Sequence, residues 1–142
     1  MTALTNLDEA ETLNVIGEQL RALLTTDMDS TVEIYETSGD VGMGPPPHAH
    51  DWSETYYMLD GALDVTIGEG EPQRLEAGMV AHAPAGTPHA YRIEQDGTRF
   101  LTILSAGNGH AFFRQMDAEV SFPPDIADVV RIGTAHGITF AL

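Results

Sequence analysis

Short apolar runs separated by glycine, proline and aspartate make up most of this chain, and they limit the folds that are open to it. From Leu13 to about Leu104 each run is a few residues long, and turn sequences such as Asp60-Gly61 divide the runs. This texture is typical of many short strands and favours an antiparallel barrel or sandwich. The predicted strands are Leu13–Ile16, Leu20–Leu24, Val32–Glu36, Thr55–Leu59, Ala62–Ile67, Met79–Ala83, His89–Ile93 and Phe100–Leu104.

The beginning of the chain fits more than one structure. The stretch from Leu13 to Leu24 also fits a helix, because Gly17 interrupts the strand pattern. Residues 1–12 are polar and acidic, and we expect them to be frayed or weakly helical.

The end of the chain has a helical pattern. Ile126, Val129 and Val130 are spaced as positions i, i+3 and i+4, which places them on one face of a helix. We therefore predict an amphipathic helix over Asp125–His136 that packs on the barrel. A short strand over Ile138–Phe140 is a further possibility.

The length of 142 residues fits one domain. We expect a single domain over residues 1–142, with a core barrel at about 13–105 and a helical extension at about 106–142. The chain has no long apolar run, and its N-terminus is polar and acidic. We therefore expect neither a transmembrane helix nor a signal peptide, and we expect the protein in the cytoplasm.

The charge of the chain is strongly unbalanced. It has 22 acidic residues and six basic ones, for a formal net charge of -16, and every basic residue is an arginine. Such a charge repels nucleic acid phosphates and anionic membranes, so we expect neither partner. Without lysine there is no Schiff-base chemistry, and without cysteine any metal must be held by nitrogen and oxygen.

Two histidines and a glutamate lie close together in the segment that follows three consecutive prolines. Because side chains alternate along a strand, His48 and His50 point to the same face. Glu54 has the same parity if the strand resumes after a short excursion at Asp51–Ser53. Two imidazoles and a carboxylate on one inner face can form a facial triad for a divalent metal.

A second segment supplies one more candidate ligand. A Pro-Ala-Gly turn delivers His89 to the start of a predicted strand, where it can complete a fourth position from across a barrel. Nitrogen and oxygen ligands without sulfur suit divalent Fe, Mn, Ni, Co or Cu, and zinc is also possible.

The two segments resemble the two conserved motifs of the cupin superfamily. The first has every glycine, histidine and glutamate of the first motif at the family spacing, namely Gly42, His48, His50, Glu54 and Gly61. The second matches the second motif at Gly78, Pro84, Gly86 and His89, and departs from it only at Ile93, where the family has asparagine. That asparagine is not a metal ligand in the family. The resemblance therefore implies that His48, His50, Glu54 and His89 are metal ligands.

Looser features are similar to small single-domain cupins of the quercetin-dioxygenase-like group. They include three prolines before His48, the stretch from His110 to Met116, and the predicted C-terminal helix. The resemblance implies an all-β fold, the cupin double-stranded β-helix or jelly-roll barrel, with a C-terminal amphipathic helix. It also implies a homodimer.

Five further residues are candidates for a substrate pocket. If Glu54 faces inward then Tyr56 and Met58 should too, and if His89 does then so should Tyr91. Each can equally be a filler of the barrel core. Trp52 either shades the mouth of the pocket or makes a surface or dimer contact, and His82 has a parity that allows either face.

Three functional hypotheses fit these residues. The first is a metal-dependent oxygenase acting on a small enolic or phenolic compound, with Glu54 as both ligand and general base. The second is a non-redox isomerase, lyase or polyketide-type cyclase that uses the same metal as a Lewis acid. The third is a binding or sensing module that holds a small molecule without turnover.

Overall fold

Eleven strands and two α-helices form the fold in a computed structural model, which describes residues 4–141. In chain order the strands are β1 (Glu11–Val15), β2 (Glu18–Leu24), β3 (Val32–Gly39), β4 (His48–Ala49), β5 (Glu54–Asp60), β6 (Ala62–Ile67), β7 (Gln73–Glu76), β8 (Val80–Ala83), β9 (His89–Ile93), β10 (Thr98–Ser105) and β11 (Thr139–Phe140). The helices are α1 (Gly109–Glu119) and α2 (Ile126–Ala135), with short 3-10 helices at Leu7–Glu9 and Thr26–Met28.

The strands form two antiparallel sheets. One sheet has the order β1-β2-β3-β10-β5-β8, and the other has the order β11-β4-β9-β6-β7. Consecutive strands β4 and β5 lie in different sheets, and so do β9 and β10, so the chain repeatedly crosses from one sheet to the other. This arrangement confirms the predicted all-β jelly roll with a C-terminal helix.

Alternating side chains build the core between the sheets. Along β5, Tyr56 and Met58 are buried whereas Tyr57 between them is exposed. These two buried side chains pack with Leu63 and Ile93 from the opposite sheet. Burying side chains of this kind stabilises the fold by roughly 1.5–3 kcal/mol each.

The two helices cover one end of the six-stranded sheet. Phe112 and Met116 from α1, and Val129 and Ile132 from α2, pack in one apolar cluster with side chains of β1 and β2. The side chain of Asp125 caps α2 by accepting a hydrogen bond from the backbone N–H of Ala127.

The eight predicted strands are present, with shifted ends at several positions. The stretch Leu13–Leu24 is not a helix but contains two strands, because Ile16 and Gly17 adopt positive φ angles of 49° and 85° and turn the chain back on itself. The strand assumed at His48 is present as the short β4, whereas β7 and α1 were not predicted.

The expectation for residues 1–12 was only partly right. Leu7–Glu9 form the short 3-10 helix, but Glu11 and Thr12 already belong to β1, where they pair with β2. Residues 1–3 lie outside the described part of the chain. Within residues 4–141, neither helix has the length and apolar character needed to cross a lipid bilayer.

Candidate metal centre

Four side chains from both sheets converge on one point between them. His48 on β4 is paired directly with His89 on β9, and His50 follows β4. Glu54 approaches from the other sheet, as the first residue of β5. One potential ligand atom from each of these four residues lies within 4.8 Å of all the others, so the group could hold a metal ion.

Backbone carbonyls fix the orientation of all three imidazole rings. The Nδ1 atoms of His48, His50 and His89 each lie 2.8 Å from a main-chain oxygen, supplied by Pro46, Trp52 and Thr87 respectively. Because a carbonyl oxygen can only accept a hydrogen bond, each Nδ1 must carry the proton. Each ring therefore directs Nε2, the atom that can donate a lone pair, away from the backbone.

Glu54 stands at the centre of the hydrogen bonds in the cluster. Its Oε2 atom lies 2.7 Å from Nε2 of His89 and 3.6 Å from Nε2 of His50. The hydroxyl of Tyr56 donates to the same oxygen over 2.8 Å. The carboxylate is thus held in one orientation before any ligand binds.

The electrostatic environment favours an anionic glutamate among the histidines. Burial by itself raises the pKa of Glu54, but the imidazole of His50 close by and the hydrogen bond with His89 outweigh it and hold that pKa far below its usual range. Burial lowers the pKa of His48 to about 4, so its ring is neutral near pH 7. Burial also opposes protonation of His89, yet the hydrogen bond to Glu54 raises its pKa overall.

The donor set matches a divalent transition metal. Three imidazole nitrogens and one carboxylate oxygen suit Fe, Mn, Ni, Co, Cu or Zn. A metal would take the place of the proton that His89 shares with Glu54, since a ligating Nε2 must be deprotonated.

Trp52 lies behind His50 rather than at the mouth of a pocket. Its indole is buried, with 5% of the residue exposed, and it stacks on the His50 ring. Gly107 also packs against the indole, where a Cβ atom would lie 2.6 Å from Cε3 of Trp52. Trp52 therefore neither lies at a pocket mouth nor makes a surface contact. Its indole supports the His50 ring.

A small cavity adjoins the four-residue cluster. It has a volume of about 70 Å³, and His48, Glu54, Tyr56 and Tyr91 form part of its wall. A groove of about 590 Å³ lies outside it and has Tyr91 in its wall as well. The two spaces are neighbours that share several wall residues, namely Ile16, Pro45, Pro46, Tyr91, Val129 and Phe140.

The structure places the remaining predicted pocket residues apart from the cavity. Met58 faces inward as expected, but it packs in the core between the sheets. His82 lies on the outer face of β8, where its Nδ1 atom is 2.7 Å from the hydroxyl of Thr55. The side chain of His82, whose direction the sequence left open, therefore points outward, away from the four-residue cluster.

Sequence reasoning missed the second acidic residue of the cavity wall, Glu18. It begins β2, two residues before the predicted strand Leu20–Leu24, and it is buried on the same face as Leu20 and Ala22. Extending the predicted strand by two residues would have placed this carboxyl on the inner face.

Known proteins resemble this chain in sequence and in fold. The family model for the cupin domain matches residues 39–114. Quercetin 2,3-dioxygenase from Bacillus subtilis (strain 168) is 36% identical over 98 residues, which are 66% of this chain. The chain spans only 28% of the length of that relative.

Solved structures share the fold. KdgF from Halomonas sp. superposes with a TM-score of 0.64 and 25% identity, over 72% of this chain and 93% of that protein. The polyketide cyclase RemF from Streptomyces resistomycificus gives a TM-score of 0.63 and 19% identity, over 74% and 80% of the two chains. The family match covers more than half of the sequence, and the chain therefore belongs to the cupin family.

Proposed function

We propose that His48, His50, Glu54 and His89 bind one divalent transition-metal ion, and that the protein is an oxygenase acting on a small enolic or phenolic compound. The observation that carries the metal site is the shared orientation of the three histidines. Each donates Nδ1–H to a backbone carbonyl, which leaves Nε2 as the atom that can bind the ion, in His89 after loss of the proton shared with Glu54. Three rings with the same fixed tautomer beside an ionised carboxylate are what a metal centre needs.

A resident ion at this position would supply Lewis acidity and, if redox-active, electron transfer. The protein supplies the remaining chemistry. Glu54 can accept a proton from a substrate hydroxyl at Oε2, the atom that Tyr56 already orients. Apolar side chains of the cavity wall, such as Phe112 and Ile138, exclude water from this proton transfer.

The curated relative supports an oxygenase in preference to a non-redox enzyme. It is named for dioxygenase activity on quercetin, and it shares 36% identity with 66% of this chain. Because this chain spans 28% of that relative, the substrate here need not be quercetin, and the small cavity favours a smaller ring.

A non-redox isomerase, lyase or cyclase would use the same four residues, and a binding module would use them without turnover. Oxygen consumption separates these functions. The protein should be loaded in turn with Fe²⁺, Mn²⁺, Co²⁺, Ni²⁺, Cu²⁺ and Zn²⁺, and tested with quercetin and with catechol in an oxygen electrode. We expect substrate-dependent oxygen consumption with at least one redox-active ion and none with zinc. Full conversion of a substrate by the zinc-loaded protein would exclude the oxygenase.

A further inference from the structure

A second buried carboxyl lines the same cavity as the proposed metal ligands. Glu18 exposes 5% of its surface, and it contributes to the cavity wall together with His48 and Glu54. The hydroxyl of Tyr91 lies 2.8 and 2.7 Å from its two carboxyl oxygens. This hydroxyl makes the only side-chain hydrogen bonds of Glu18 within residues 4–141.

Stability does not explain why this carboxyl is buried. An ionised carboxyl costs several kcal/mol to remove from water unless a cation compensates it, and a neutral one still gives up hydrogen bonds to water. Among residues 4–141, the arginine and histidine ion pairs involve other acidic side chains and not Glu18. A buried ionisable group that faces a cavity without a cationic partner is typical of a functional site.

The chemistry of the cavity wall restricts what can reach Glu18. The wall contains neither arginine nor lysine, and its acidic side chains are Glu18 and Glu54. A carboxylate on a ligand would lose its hydration there without a cation to compensate it, and a neutral Glu18 supplies no positive charge. A hydroxyl, in contrast, can both donate a hydrogen bond to Glu18 and accept one from it.

Two properties of the site support a hydroxyl on a single ring. Burial raises the pKa of Glu18 to about 8, so that near neutral pH the group can donate as well as accept. The cavity of about 70 Å³ is smaller than the roughly 150 Å³ that encloses a benzene ring. It can therefore take a hydroxyl substituent and the edge of a ring whose remainder lies in the adjoining groove of about 590 Å³.

We propose that Glu18, held by Tyr91, contacts the substrate and selects a neutral hydroxyl over a carboxylate on the part of the ligand that enters the cavity. This inference rests on the proposed function, because the metal site is taken to hold the other end of the ligand. Tyr91 acts as a positioning residue, since its hydroxyl contacts Glu18.

Three probes that differ in one substituent test this selection. Catechol, hydroxyquinol and protocatechuate share a pair of neighbouring hydroxyls for the metal, and the last two add a hydroxyl and a carboxylate respectively. Their dissociation constants should be measured anaerobically at pH 7 by calorimetry on zinc-loaded protein. The variants are Glu18→Gln and Glu18→Leu. Glu94→Gln is the control, because the side chain of Glu94 is exposed to solvent.

We expect the unmodified protein to bind hydroxyquinol about tenfold more tightly than catechol, and protocatechuate more weakly than either. Glu18→Leu should remove the advantage of hydroxyquinol. Glu18→Gln keeps a neutral hydrogen-bonding group, as the protonated acid is near pH 7, so it should retain most of the preference for hydroxyquinol. Glu94→Gln should change none of these ratios. Circular dichroism of both Glu18 variants checks that they fold.

The proposal is overturned if both folded Glu18 variants keep the preference of the unmodified protein, or if the unmodified protein prefers protocatechuate. It is also overturned if zinc binds stoichiometrically but none of the three probes binds. Absence of zinc from the unmodified protein would instead refute the metal site itself. The metal content of each sample therefore separates failure of this inference from failure of the proposed function.

Discussion

His50 and Trp52 are joined by two interactions at once. Their rings stack with centroids 4.2 Å apart and planes inclined by 8°, and Nδ1 of His50 donates to the main-chain oxygen of Trp52 over 2.8 Å. One residue thus fixes both the plane and the tautomer of a proposed ligand. This support is available before a metal arrives, which reduces the ordering required on binding.

The stack makes the intrinsic fluorescence of the protein a reporter of the metal site. Trp52 is the only tryptophan in the sequence. Because a Co²⁺ or Cu²⁺ ion on His50 would lie close to the indole, we expect titration with either ion to quench the emission strongly and to saturate at one ion per chain. Fluorescence titration of His50→Ala gives the comparison. Equal, saturable quenching in that variant would show that the ion binds elsewhere.

Tyr56 should affect metal affinity through Glu54. Removing its hydroxyl in Tyr56→Phe deletes the 2.8 Å hydrogen bond that orients Oε2 of Glu54. Loss of such a supporting bond typically costs 10–100-fold, so we expect metal affinity to fall by about 10–100-fold in a chelator competition assay.

Tyr57→Phe is the matched control for this change. Tyr57 is the next residue of β5, and it points out of the core with 38% of its surface exposed. Its variant should bind metal like the unmodified protein. Equal affinities for all three proteins would mean that the hydrogen bond from Tyr56 does not support the ligand.

The buried Glu18 should make the stability of the metal-free protein depend on pH. Its pKa is about 8 in the folded protein, against an ordinary value of 4.5. Between these two values the unfolded chain loses the proton that the folded protein keeps. The contribution of Glu18 therefore becomes less favourable as pH rises through this range. A pKa shift of this size lowers the free energy of unfolding by about 5 kcal/mol once Glu18 is ionised in both the folded and the unfolded protein.

Glu18→Gln removes this titration. The free energy of unfolding should be measured in urea for the metal-free unmodified protein and for metal-free Glu18→Gln. The difference between the two values should be constant below about pH 4.5. It should move in favour of the variant as pH rises and level off above about pH 8. The exposed Glu94→Gln should show no such trend. A difference between Glu18→Gln and the unmodified protein that does not vary with pH would contradict a protonated Glu18.

Most of the fold could be predicted from local patterns in the sequence. Strand alternation and turn residues located eight strands, because each buries one face and ends at a glycine or a polar turn. The β4 strand has only two residues, and the spacing of His48 and His50, not an apolar run, indicated it. Helix α1 was missed because its buried face includes Gly109 and His110 beside Phe112 and Met116, which weakens the apolar pattern, and because it follows β10 closely.

The candidate site could be predicted only where spacing along the chain determines position. His48, His50, Glu54 and His89 meet because their strands have the parity and the pairing that the motif spacing implies. Glu18 is far from these residues in sequence. Its approach to Tyr91 depends on how β2 lies against the opposite sheet, which local patterns do not determine.

Elemental analysis of the purified protein and its alanine variants tests the metal centre most directly. We expect about one transition-metal ion per chain in the unmodified protein and in His82→Ala, since His82 lies on the outer face. His50→Ala and Glu54→Ala should each lose stoichiometric metal, because they remove ligands of the cluster. Full metal occupancy in folded His50→Ala and Glu54→Ala would contradict the account.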